Sequence, residues 1–188
     1  IRDVERSRGL GDVYKRQLND SAVSLHMTFD KTNTMKAIEL LDKATEIDPD
    51  YFLAHWNKYV FQNELNLKDK AFETLKTLER LRPESPDLMV ASGIFYENKG
   101  DSLTANKKFQ QANRIYENIL DTLHTNNDPF SSVLSNKAIN LILLGQEQEG
   151  RQILQDLYDK EGNEPMKEMI GHFLSLSRQQ LLDEMKNK

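Results

Sequence analysis

The chain has 188 residues, enough for one moderate domain or a short repeat array, and its 38% hydrophobic and 29% charged content fits a helix-rich protein. A net charge of −5 leaves no basic surplus to neutralise phosphates, so no nucleic-acid partner is expected. There is no cysteine, which removes disulfides, zinc thiolates and cysteine nucleophiles, and the longest apolar run, Ile139 to Leu144 broken by Asn140, falls far below the roughly 20 residues of a membrane span.

Residues 1–17 mix charges and glycines without period, and no helix is expected there. Asp12-Val13-Tyr14-Lys15-Arg16-Gln17 resembles the translation of a transposon end used to build sequencing libraries, and Ile1-Arg2-Asp3 matches the same DNA in another frame. The segment is therefore expected to be a foreign or disordered tail. Setting it aside leaves a body of net charge −7. On this expectation the native residues before Leu18 are missing, and a signal peptide or lipid-bearing cysteine belongs among the arrangements they would allow.

From Leu18 onward, apolar periodicity predicts helices over 18–29, 34–47, 52–65, 68–81, 86–99, 102–123, 129–144, 146–160 and 165–185, with no competing strand signal. The first pair, 18–51, offers Ala22 and Leu25 on its first helix and Ala37, Leu41 and Ala44 on its second. The pair at 52–85 carries Ala71, Leu75 and Leu78 at the same spacing, 34 residues on. The pair at 86–119 repeats it once more with Ala105, Phe109 and Ala112. Within each pair these positions fall at i, i+4 and i+7, one face of a helix: a small residue admits a close neighbour and a larger one fills the space above it.

Ser85-Pro86 and Asp128-Pro129 are helix starts, a capping side chain followed by proline at the first turn. Gly93 and Tyr96 lie on the helix at 86–99, and Gly100-Asp101 makes a tight turn. The pair at 128–162 contains Ala138, Leu141, Gly145, Ile153, Leu154 and Leu157, with Gly150 in place of the alanine, and reads as a degenerate repeat. The overlong helix at 102–123 and the Thr125–Asp128 loop suggest an offset before it. A single terminal helix, 165–185, is expected to cover the end of the array.

Searching for chemistry returns nothing. The histidines His26, His55, His124 and His172 form no HExxH pattern, and Glu168 with His172 would supply only two ligands where a metal wants three or four. No Gly-rich phosphate loop, calcium loop or nucleophile elbow is present. No catalytic residue, metal site or cofactor is expected. Tyr51, Phe52, Trp56, Tyr59 and Phe61 crowd one region, as packing between repeats or as a recognition patch.

The 34-residue period, its alanine columns and the Gly93/Tyr96/Gly100 pattern resemble the tetratricopeptide repeat family. The departures are Met89 and Ser92, where the family prefers Trp and Leu, and a slipped register in 52–85. The resemblance implies an all-α, right-handed solenoid over 18–186 with a C-terminal capping helix, and a non-enzymatic scaffold or adaptor that takes a peptide or partner protein in a concave groove. Carried across unit by unit, the groove positions are Asn57, Phe61, Ala91, Ile94, Asn98, Asn136 and Ile139. Family members that grip acidic chaperone tails use basic residues where this chain has Asp87 and Ala91, so such a tail is not an expected ligand. The alternatives are a domain clipped from a larger regulatory or assembly factor and, more remotely, an enzyme built on a helical array.

Overall fold

The computed structural model of the chain describes residues 2–123 and 128–186, which form ten α-helices and no strand. The chain divides between Pro83 and Glu84 into two compact units. The first holds α1 (Arg2–His26), α2 (Lys31–Ile47), α3 (Phe52–Glu64) and α4 (Lys68–Leu81). Here α1 packs on α2 and α3 on α4, with α2 against α3 between the pairs. The second unit holds α5 (Pro86–Asn98), α6 (Ser102–Thr122), α7 (Asp128–Leu143), α8 (Glu147–Lys160), α9 (Glu164–Ser175) and α10 (Arg178–Lys186). Its pairs are α5/α6 and α7/α8, joined by α6 on α7 and followed by α9 on α8.

The nine residues of the repeated columns explain this pairing. Ala37, Leu41 and Ala44 on α2, Ala71, Leu75 and Leu78 on α4, and Ala105, Phe109 and Ala112 on α6 are all between 0 and 2% exposed. Each column lies on the second helix of its hairpin. At Gly93 on α5, an added Cβ would stand 2.3 Å from the Phe109 ring, so the bare backbone is the seat of that ring.

The turns repeat as well. Gly100 N–H donates to Glu97 O and Asp101 N–H to Tyr96 O; Asn66 and Leu67 bond in the same way to Asn63 and Gln62, and Gly145 and Gln146 to Ile142 and Leu141. Each pair of bonds is the two-bond Schellman ending, which places one residue in the left-handed region. Those residues are Asn66, Gly100 and Gly145, with φ of 57°, 81° and 84°. Nothing lies within 4 Å of a Cβ added at Gly100, so Gly100→Ala is expected to cost about 1–2 kcal/mol from backbone strain alone. Asn66→Gly should be neutral or slightly stabilising. Urea denaturation checks both, and equal losses would contradict a shared turn.

The fourth hairpin is regular once its offset is found. Gly93 to Ala138, Gly100 to Gly145, Ala105 to Gly150 and Phe109 to Leu154 are each 45 residues apart. Ala138 and Leu154 are fully buried, and a Cβ at Gly150 would stand 2.5 Å from the Ala138 carbonyl oxygen. Part of the excess over 34 sits in α6, which at 21 residues is the longest helix of its unit. Residues 124–127, with His124 and most of the expected Thr125–Asp128 loop, lie outside the described residues.

Two expectations are corrected. First, α1 begins at Arg2 rather than Leu18. Helix-favouring charged residues extend it, and its Lys15 ammonium lies 2.7 Å from Asp12 and 2.5 Å from Asp48 at the end of α2. These hydrogen bonds hold the Lys15 pKa up and the Asp48 pKa down. Second, the terminal segment is two helices, not one. Leu176 is extended, with ψ 139°, and α10 starts afresh behind Ser177. There Ser177 N–H donates to Gln180 Oε1 at 2.8 Å and Gln180 N–H to Ser177 Oγ at 3.3 Å, a reciprocal capping box.

Candidate partner-binding face

In the second unit α5 and α7 are the first helices of successive hairpins, and α10 packs against both. Between α9, which packs on α8, and α10 the chain breaks at Leu176–Ser177. Arg151 on α8 fixes the break from below, donating to the carbonyls of Leu174 and Leu176 at 2.8 and 2.7 Å. From there α10 is held by one arginine and two leucines. Arg178 Nε donates to Leu143 O at 2.8 Å, and its terminal nitrogen reaches Glu97 Oε1 at 3.0 Å. Leu181 and Leu182, 0 and 3% exposed, enter the core cluster of the unit, with Met185 packed at its edge. His172 on α9 meets Glu184 on α10 at 2.9 Å.

The Glu97 carboxylate is incompletely answered. Its Oε1 takes Arg178, while Oε2 is enclosed and has no hydrogen-bond partner among the described residues. An enclosed carboxylate oxygen left unpaired is costly, and a two-pronged guanidinium would relieve it.

The expected groove residues fall into two groups. Phe61, Ile94 and Ile139 are buried, at 3, 8 and 4% exposure. The Phe61 ring stacks on His26 at 3.9 Å in the core of the first unit. Ile94 and Ile139 belong to the same cluster as Leu181 and Leu182, so the cluster that α10 completes contains them. Ala91 is half-buried, and Asn98 and Asn136 are exposed. Asn57 is half-buried and donates through Nδ2 to Asn19 Oδ1 at 2.9 Å, so its amide is engaged within the first unit.

Other singled-out groups find structural partners. Asp87 accepts the Tyr116 hydroxyl at 2.7 Å, and burial first, then this carboxylate, pushes the Tyr116 pKa far up. His55 Nε2 lies 2.9 Å from Pro49 O, which can only accept, and burial lowers its pKa. Of the aromatics, Phe52 stacks on Trp56 with centroids 6.4 Å apart, and Trp56, 39% exposed, leans on Tyr59. The turn after α7 borders an open depression lined by Gln146, Glu149, Gln152 and Ile153. Among the described residues no group of three or more histidine or acidic side chains could hold a metal ion, and no helix is long and apolar enough to cross a membrane.

Sequence reasoning placed the leucines of α10 on an end cap and did not single out Glu97 or Arg178. The available signal was Ser177-Arg178-Gln179-Gln180, a capping box in the middle of an apparently continuous apolar pattern. Compared with known proteins, the chain matches no family model and no curated protein.

Proposed function

We propose that the chain is a tetratricopeptide-like, non-enzymatic interaction module whose first-helix faces bind a peptide or a helical segment of a partner protein. The observation that carries this is the recurrence, in three hairpins, of one turn geometry together with a buried small-to-large column on the second helix. Hairpins nested in this way leave first-helix positions free to vary, and in repeat proteins such faces serve as binding surfaces. In the second unit Ala91, Asn98 and Asn136 lie on that face, where asparagine amides can pair with a bound backbone.

Selection from a displayed peptide library against the intact chain tests the reading. Peptides are expected to bind saturably at the positions of this face that stay exposed beside α10, with affinity reduced about tenfold by Asn98→Ala combined with Asn136→Ala. Loss of no affinity, with competition instead at the outer surface of α8, would remove the proposed face. An acidic C-terminal tail peptide is expected not to bind, because Asp87 would repel its carboxylates; a measurable complex would contradict the charge argument.

A further inference from the structure

We propose that α10 is the resident occupant of the α5/α7 face, and that this face binds in trans an amphipathic partner helix bearing Arg, then Leu three and four residues further on and an apolar residue seven further on. This rests on the reading of the chain as an interaction module and names the chemistry of its partner.

Three observations carry it. The two isoleucines that sequence reasoning put on an open groove, Ile94 and Ile139, lie in the cluster that receives Leu181 and Leu182. The face is thus an apolar seat already filled by a helix, and the filling side chains define the pattern Arg178, Leu181, Leu182, Met185. On the exposed side of α10, Gln179 Nε2 donates to Asp183 Oδ1 at 3.1 Å.

Secondly, α10 is nine residues long, short of the roughly 12–15 at which an isolated helix holds itself together in water. It is ordered by what it touches. Its tether is the Leu176-Ser177 junction, and Arg151 fixes the end of α9 independently. Lifting α10 therefore leaves α9 anchored on α8.

Thirdly, the polar latch is incomplete. Arg178 spends Nε on Leu143 O and gives Glu97 a single bond, leaving Glu97 Oε2 enclosed and unanswered. A partner arginine free of the short tether can approach Glu97 with both terminal nitrogens. The occupant is thus replaceable by a competitor with the same apolar pattern and a better ion pair.

A tethered ligand acts at an effective concentration on the order of millimolar, so the intact chain should resist a competing peptide until α10 is loosened. The probe is a fluorescein-labelled peptide of residues 176–186, titrated by anisotropy against the full chain. Against the Leu181→Asp/Leu182→Asp variant, whose own α10 is unseated, the peptide is expected to bind at least about tenfold more tightly than to the intact chain. Arg178→Ala, which loosens the latch without charging the core, should give a smaller gain of the same sign. Adding Glu97→Gln to either variant should weaken peptide binding about tenfold. No saturable binding to the Arg178→Ala chain, or equal binding to all three proteins, would overturn the proposal. So would a dimer of the intact chain that the Leu181→Asp/Leu182→Asp change abolishes, since that assigns the face to a second copy. Library selection samples any peptide class, so its success beside failure here would discard this occupant and keep the interaction module.

Discussion

Gly150→Ala is expected to destabilise the second unit by about 3 kcal/mol, although glycine to alanine inside a helix ordinarily gains about 1 kcal/mol. The reason is the approach of α8 to α7. A Cβ at position 150 would lie 2.5 Å from the Ala138 carbonyl oxygen and 2.8 Å from Ile142 Cγ1, and the first of these is backbone. No rotamer change clears it, so the two helices must part. Gly93→Ala is its counterpart 45 residues earlier, but there the obstacle is a side chain, the Phe109 ring. The expected loss is about 2 kcal/mol, and Phe109→Leu should recover part of it in the double variant. Urea denaturation followed by circular dichroism reads both. A Gly150→Ala chain as stable as the original would mean that α7 and α8 do not meet at this seam.

Asn140→Asp is the second large effect. Asn140 is fully buried on α7, where Nδ2 donates to Phe109 O at 2.9 Å and Oδ1 has no partner among the described residues. An ionised carboxylate there loses the donor, faces a carbonyl oxygen and finds no hydrogen-bond donor among the described residues where Oδ1 now lies. The expected cost at neutral pH is on the order of 3 kcal/mol or more. The sign with pH follows from burial, which raises the folded-state pKa of such a carboxyl above its unfolded value. The deficit is therefore full above that folded pKa and shrinks as pH falls through it. Denaturation midpoints of the variant and the original chain should converge between pH 7 and about pH 4. Asn140→Leu is the control: it loses one hydrogen bond and also removes an unsatisfied oxygen, for a net change within about 1 kcal/mol. A leucine deficit as large as the aspartate one would point to packing rather than charge.

What could be read in advance was whatever depends on local spacing. Ala37, Ala71 and Ala105 stand at a fixed interval and each is buried on the second helix of its hairpin, so spacing alone exposed them. The turn at Gly100 was legible because only glycine takes φ 81° without strain; its equivalent at Asn66 was not, because asparagine has many other uses. The fourth hairpin looked degenerate because Gly150 stands in place of the alanine and eleven extra residues shift it, while Ala138, Gly145 and Gly150 keep their mutual spacing.

Tertiary choices were illegible for a physical reason. The pairing of Arg178 with Glu97 spans 81 positions, and no period links them. Ile94 and Ile139 are apolar first-helix residues whether their face is open or covered, and their burial depends on a core cluster whose members reach to Leu182. The break at Leu176 was hidden because Leu174, Leu176, Leu181 and Leu182 continue an acceptable helical stripe across it, outweighing the capping signal of Ser177 and Gln180. The helical state of α1 before Leu18 was missed because its glycines and lack of an apolar stripe suggested a coil; yet a Cβ added at Gly11 would lie 3.7 Å from Ile47 Cγ2, and Lys15 reaches Asp48, contacts that act from another helix.

The central physical claim is that paired helices of the second unit meet at small residues, the Phe109 ring on Gly93 between α5 and α6 and Gly150 against Ala138 between α7 and α8. Proton NMR tests it directly at Gly93. With the Phe109 ring seated on that backbone, the two Gly93 Hα resonances should be well separated, one shifted strongly upfield by the ring current, and should show intense cross-peaks to the Phe109 ring protons. Gly93 Hα signals at ordinary positions, with the Phe109 ring giving its cross-peaks to other neighbours, would contradict the nested hairpin.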